Sequence, residues 1–128
     1  MFVRKFVVIF MVLAMSVVNL AQGPARGPIE APRDEVKEIE SKHNLQVARY
    51  YLTRRKAYEG ARDRLQEIID TYPDFSRMDE VVYLMGEVHL KLGKKDRAVD
   101  YFGKLIKDYP ESEFAKKAKE QLDKLKQG

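Results

Sequence analysis

Ala98-Val-Asp-Tyr-Phe-Gly-Lys-Leu-Ile-Lys-Asp-Tyr-Pro110 has a near copy 37 residues upstream, Ala61-Arg-Asp-Arg-Leu-Gln-Glu-Ile-Ile-Asp-Thr-Tyr-Pro73. Ala61/Ala98, Asp63/Asp100, Ile69/Ile106, Tyr72/Tyr109 and Pro73/Pro110 are identical, and Leu65/Phe102 and Ile68/Leu105 keep apolar bulk. Self-similarity at a period of roughly 20 to 50 residues predicts stacked repeats. Each repeat buries its apolar face only against a neighbour, and the resulting surface is suited to gripping partners.

Working outward, the apolar spacing predicts helices throughout and no strand. Ala61, Leu65, Ile68, Ile69 and Tyr72 mark a helix from Tyr58 to Tyr72, stopped by Pro73, because the residue before proline is pushed out of the α region. Ser76 and Asp79 read as a capping box for a helix from about Arg77 to Leu92, with Gly93 as its left-handed C-cap. Asp96 is expected to cap a helix from Arg97 to Tyr109, which Pro110 ends. Ser112 is expected to cap a last helix from Glu113 to Lys126, with Ala115, Ala118, Leu122 and Leu125 on its apolar face. Upstream, Asp34 opens a helix running to about Arg55, its N-terminal third exposed. One face of that helix carries Val36, Ile39, Val47, Tyr50 and Arg54, and a second apolar row holds Leu45, Ala48 and Leu52.

The N-terminus reads differently. Arg4 and Lys5 precede Phe6–Val18, thirteen residues broken only by Ser16, and no charge returns before Arg26. That pattern predicts a secretory leader over residues 1–25, cut between Ala21 and Ala25, or else an uncleaved anchor. The run is short for a membrane span, which needs about 20 apolar residues. Residues 26–33 read as a Pro/Gly-rich linker and 34–128 as the repeat domain.

Leaving out Arg4 and Lys5, 22 basic residues face 20 acidic ones, an excess too small for a dedicated nucleic-acid binder. The chain has no cysteine, so disulfides and thiol chemistry are excluded. His43 and His89 are the only histidines. His89 is read as a packing residue and His43 as solvated. Neither stands in a spacing that ligates metal, and no phosphate-cradling loop or nucleophile elbow occurs. The expectation is a non-enzyme without cofactor.

The spacing of small and large residues resembles the tetratricopeptide repeat. Gly86 and Ala98 match that family's two small positions, Gly93 its turn glycine, Phe102 and Leu105 two core positions and Pro110 its terminal proline. Helix axes come within about 8–10 Å only where the crossing carries little side chain. The first repeat matches through Ala61, Leu65, Ile68 and Pro73, and through Ala48 if the turn at Thr53–Lys56 holds one extra residue; that turn has no glycine. The resemblance implies an all-α right-handed superhelix of about two helix pairs, with the last helix as a cap.

The family's register places a partner groove on the first helix of each pair. Here it implies Leu45, Arg49, Leu52 and Thr53, then Glu80, Tyr83, Glu87, Leu90 and Lys91, with Tyr83 exposed in the groove. An extended or helical peptide would suit it. Leu45 and Tyr83 stand where carboxylate-clamping members carry Asn, so that activity is not expected. Two basic groups have ordinary readings: Arg54-Arg55-Lys56 as cations at a helix C-terminus, and Lys116, Lys117, Lys119, Lys124 and Lys126 as a solvated cap. Peripheral contact of those last lysines with anionic lipid, or with an acidic partner, is the alternative.

Val47-Ala-Arg-Tyr-Tyr-Leu52, Ala57-Tyr58, Ala61, Arg64-Leu65 and Tyr72-Pro73 together resemble the BamD family of outer-membrane assembly lipoproteins. That resemblance implies a periplasmic scaffold, at or near the outer membrane, working with envelope-assembly proteins on β-barrels. It departs in two ways. Gly23 follows Leu20-Ala21-Gln22 where the family's lipidated cysteine would stand, and about two repeat pairs are present where the family has around five. Tyr83–Lys126 is similar also to the tetratricopeptide domain of CpoB (YbgF), which implies envelope work with Tol–Pal.

Overall fold

In the computed structural model, residues 33–128 are described; the expected leader, residues 1–25, and residues 26–32 of the expected linker lie outside them. Five α-helices lie among the described residues, with no strand: α1 (Arg33–Tyr50), α2 (Tyr58–Thr71), α3 (Met78–Lys91), α4 (Lys95–Asp108) and α5 (Glu113–Gln127). Arg33, assigned to the linker from sequence, is the first residue of α1.

The two prolines act alike. Tyr72 (φ −145°, ψ 76°) and Tyr109 (φ −132°, ψ 57°) both leave the helical region just before Pro73 and Pro110. Each of these tyrosines still donates its backbone N–H to the carbonyl four residues back, at 2.9 Å. After α3, Gly93 takes φ 73° and completes a left-handed stop. Its N–H bonds the Leu90 carbonyl at 3.1 Å, and the Lys94 N–H bonds that of His89 at 2.8 Å. Ser112 caps α5 as expected, its hydroxyl oxygen accepting from the Phe114 N–H at 3.1 Å.

Two expected caps are corrected. Arg77, not Ser76, sits at the N-cap of α3, and no side chain caps it. The Ser76 hydroxyl instead donates to Glu38 on α1, holding that carboxyl below its usual range. Asp79 faces the other way, its second oxygen accepting from the Ser112 hydroxyl at 2.6 Å. Helix α4 starts two residues earlier than the sequence suggested, with Lys94 at the cap and Asp96 in the first turn.

The turn after α1 supplies the extra residue that the first repeat needs. Tyr51–Arg55 forms a single π-helical turn, closed by Lys56 at φ 51°. The Ala57 N–H reaches back six residues to the Tyr51 carbonyl at 2.9 Å, one residue further than the equivalent bond after α3. A π-bulge inserts one residue into a helix. It lets Ala48 and Ala61 both lie buried in the core although their spacing is one longer than that of Gly86 and Ala98. The Tyr51 ring then lies over Gly60, where an added Cβ would come within 3.1 Å of it.

Lys56 therefore holds a left-handed conformation that costs an L-residue about 1–2 kcal/mol. Lys56→Gly is expected to raise stability by about 0.5–1 kcal/mol, the relief exceeding the entropy glycine loses on folding. A lower urea midpoint for this variant would contradict the left-handed turn.

Consecutive helices pack on one another, from α1 on α2 through to α4 on α5, and α5 also reaches α3. Short connections make neighbours antiparallel, so α1, α3 and α5 share one direction. The core runs through both pairs, with Leu45, Leu65, Ile68, Val81, Met85, Val88, Phe102 and Leu105 among its fully buried side chains. At the α3–α4 crossing the missing Cβ of Gly86 is replaced by the Phe102 ring: a Cβ built there would lie within 2.8 Å of three of its carbons. Glycine is thus required by the Phe102 ring, one turn beyond Ala98, which is itself fully buried.

Candidate functional site

The π turn and the left-handed Lys56 bring Leu52, Thr53, Lys56 and Tyr58 to one side of the first helix pair. The Thr53 hydroxyl donates to the Arg49 carbonyl four residues back, at 2.8 Å, which ties the side chain to the turn. Opposite stand Glu87, Leu90 and Lys91 from the last two turns of α3, and Gln121 from α5. Together they line a hollow of about 620 Å³. Its chemistry is mixed: two half-buried leucines and a phenol ring, two exposed ammonium groups, one carboxylate and one amide. Such a lining can seat apolar side chains of an extended segment while the polar groups meet its backbone and charges. It holds no nucleophile–base pair. Among the described residues no group of three His, Cys, Asp or Glu could hold a metal.

Five of the nine residues expected from sequence meet here: Leu52, Thr53, Glu87, Leu90 and Lys91. The other four do not line it. Leu45 is 1% exposed and belongs to the core, on a helix packed against α2. Tyr83 is 8% exposed, not free in the groove. Its ring lies between Phe102 (centroids 5.8 Å apart) and Phe114 of α5 (5.5 Å). Burial, and after it hydrogen bonding to the Glu87 carboxylate, push its phenol up to about 12, so it stays neutral.

Arg49 and Glu80 form a clamp between the helix pairs. Glu80 is 4% exposed. One of its carboxylate oxygens accepts from the Arg49 guanidinium and the other from Arg77, at 2.5 Å. A buried carboxylate is tolerated because both oxygens are charge-paired. This clamp fixes α1 against α3, and with it the two walls of the hollow.

Sequence reasoning missed Lys56, Tyr58 and Gln121. Lys56 and Tyr58 enter through the π turn, which no residue type announces. Gln121 had a signal: α5 follows Pro110 as α3 follows Pro73, which makes it the first helix of a third pair as well as a cap. His89 is buried, as expected for a packing residue. Its Nδ1–H donates to the Met85 carbonyl at 2.7 Å and its ring lies 5.0 Å from that of Tyr101. His43 is exposed on α1.

The family model for the tetratricopeptide repeat matches residues 80–112, the span of α3, α4 and the entry to α5. A curated relative, outer membrane protein assembly factor BamD of Neisseria meningitidis, is 35% identical over 72 residues. That alignment takes in 56% of this chain and 27% of the relative, so the chain spans about a quarter of that protein's length. No solved structure matches.

Proposed function

Since this chain is a tetratricopeptide-repeat protein resembling BamD over part of its length, and so a protein-binding scaffold, we propose that it serves outer membrane protein assembly in the bacterial envelope. The leader-like N-terminus would export it, and the scaffold would work on the periplasmic side of the outer membrane. The carrying observation is the hollow between the π turn, α3 and α5, where Leu52 and Leu90 offer apolar seats flanked by Lys56, Lys91 and Glu87. In this reading the groove holds an extended segment of an assembly component or of a barrel protein. No residue acts as a catalyst; the repeat supplies a rigid surface, which lowers the ordering cost of binding.

The test is capture from envelopes with a photo-crosslinking residue in place of Gln121, in the parent and in Leu52→Ala/Leu90→Ala. Crosslinks to outer-membrane assembly components are expected, reduced about tenfold or more by the double variant. Removing buried methylenes from two half-buried leucines at about 0.8 kcal/mol per buried CH2 supplies a loss of that size. Crosslinks that the double variant leaves unchanged would remove the groove from the account. Crosslinks only to Tol–Pal proteins would remove the assembly role.

A further inference from the structure

The charges of the repeat domain are sorted by edge. The C-terminal ends of α1, α3 and α5 meet the N-terminal ends of α2 and α4 along one edge of the array, as the shared hollow of Lys56, Tyr58, Lys91 and Gln121 requires. On that edge, segments 54–59, 91–97 and 123–128 hold nine Lys and Arg against Glu59, Asp96 and Asp123. Arg54, Arg55 and Lys56 close the first turn, four more cations surround Gly93, and Lys124 and Lys126 end α5. All nine are exposed, and among the described residues none of them enters an ion pair.

The opposite edge is the reverse. Leaving aside the interior Glu80 and its partner Arg77, segments 34–38, 70–80 and 107–113 hold nine carboxylates against Lys37 and Lys107. Its tyrosines register the crowding. Desolvation, followed by Glu38, Asp34 and Asp74, raises the Tyr72 phenol. Desolvation, followed by Asp108, Asp79 and Asp74, raises that of Tyr109.

Helix dipoles explain only half of this sorting. Cations at the C-termini of α1, α3 and α5 are the ordinary arrangement. Lys95 and Arg97 in the opening turns of α4, and Asp70 and Asp108 closing α2 and α4, oppose the dipole. Even-numbered and odd-numbered helices thus agree on the sign of each edge and disagree on the dipole.

We infer that the basic edge is a docking surface for an anionic phospholipid bilayer, with the acidic edge turned away from it. Lys56 and Lys91 border the hollow and Lys94, Lys95 and Arg97 share a shallow depression around Gly93, but the nine cations as a set are spread along the helix ends of the whole edge. The exposed large apolar side chains, Val36, Ile39, Tyr50 and Val99, all lie outside the basic segments 54–59, 91–97 and 123–128. A protein partner would call for an apolar centre within a polar rim, which Leu52 and Leu90 supply beside Lys56 and Lys91, whereas the segments of the other seven cations hold no exposed large apolar side chain. A lipid surface asks only for exposed cations within a Debye length, about 10 Å at 0.1 M salt. Of the five α5 lysines considered from sequence, only Lys124 and Lys126 belong to this edge. Lys116 and Lys117 stand near the other. The inference goes beyond the groove reading and holds without it.

The test is sedimentation of the full chain with phosphatidylglycerol vesicles and with phosphatidylcholine vesicles, at low and high salt. The quantity read is the excess binding to phosphatidylglycerol and its change between variants, since the N-terminal segment with Arg4 and Lys5 contributes alike in every variant. A salt-sensitive excess is expected, weakened at least about tenfold by Lys94→Glu/Lys95→Glu and again by Lys124→Glu/Lys126→Glu, at roughly fivefold per cation. Lys104→Glu/Lys107→Glu, with the same change in net charge toward the far end of α4, should retain most of it. Equal loss in this control would reduce the effect to net charge and overturn the inference. So would absence of any phosphatidylglycerol excess. Salt-sensitive self-association without vesicles, abolished by the same basic-edge variants, would assign the edge to the acidic edge of a second copy instead.

Discussion

Phe102→Ala is expected to remove about 3–5 kcal/mol of folding stability, the cost of emptying a fully buried aromatic site. The Phe102 ring fills the space left by the missing Cβ of Gly86 and backs Tyr83, which in turn carries Phe114 of α5. Its removal opens a void between α3, α4 and α5 that these helices cannot close without losing their crossing. Domains are commonly stable by only 5–15 kcal/mol. An array of five short helices should therefore come close to unfolding at room temperature. Urea denaturation followed by helical circular dichroism reads the effect. A loss under about 1 kcal/mol would mean that the ring is not where the α3–α4 crossing needs it.

The second large effect is Gly86→Ala. By helix propensity alone the substitution would gain about 1 kcal/mol. Space decides otherwise, because the new Cβ would come within 2.4 Å of the Phe102 ring edge. The Phe102 side chain is fully buried, so overpacking should cost about 1–3 kcal/mol net. Gly103 provides the contrast within the same pair of helices. It lies exposed in α4 with open space where its Cβ would stand. Gly103→Ala should stabilise by about 0.5–1 kcal/mol, following propensity. Opposite signs at two helical glycines separate steric fit from intrinsic preference.

The fold was legible because the residues that set it act locally or recur. Pro73 and Pro110 stop α2 and α4 by the same steric clash, and Gly93 ends α3 through a conformation that only glycine adopts cheaply. Ala48, Ala61, Gly86 and Ala98 announced crossings through their size and spacing. What stayed hidden has two physical sources. A π turn ended by a left-handed lysine has no residue signature, so the shape of the first turn, and with it the places of Lys56 and Tyr58, shows only in the fold. Ser76, Asp79 and Asp96 looked like caps because their chemistry suits caps. Ser76 and Asp79 were claimed instead by Glu38 and Ser112 across the fold.

The candidate site was half legible for a related reason. Helical register says which side a residue faces, and it put Leu52, Thr53, Glu87, Leu90 and Lys91 on the side where the hollow lies. It does not say what lies over that side. Tyr83 and Leu45 were expected to be exposed, and helix packing buried both. Glu80 was expected to line the groove, and the approach of Arg49 from α1 and of Arg77 at the N-cap of α3 makes it an interior clamp instead.

The repeat domain is held by α3 and α4 nesting through Gly86 and Phe102, and through Tyr83 that contact supports Phe114 of α5 and the far wall of the groove. The most direct test is a double-mutant cycle of Gly86→Ala with Phe102→Leu. Leucine vacates the space that the alanine Cβ needs, so the pair should be at least about 1 kcal/mol more stable than the sum of the single changes predicts. Additivity to within about 0.3–0.5 kcal/mol, the behaviour of sites that do not touch, would contradict it.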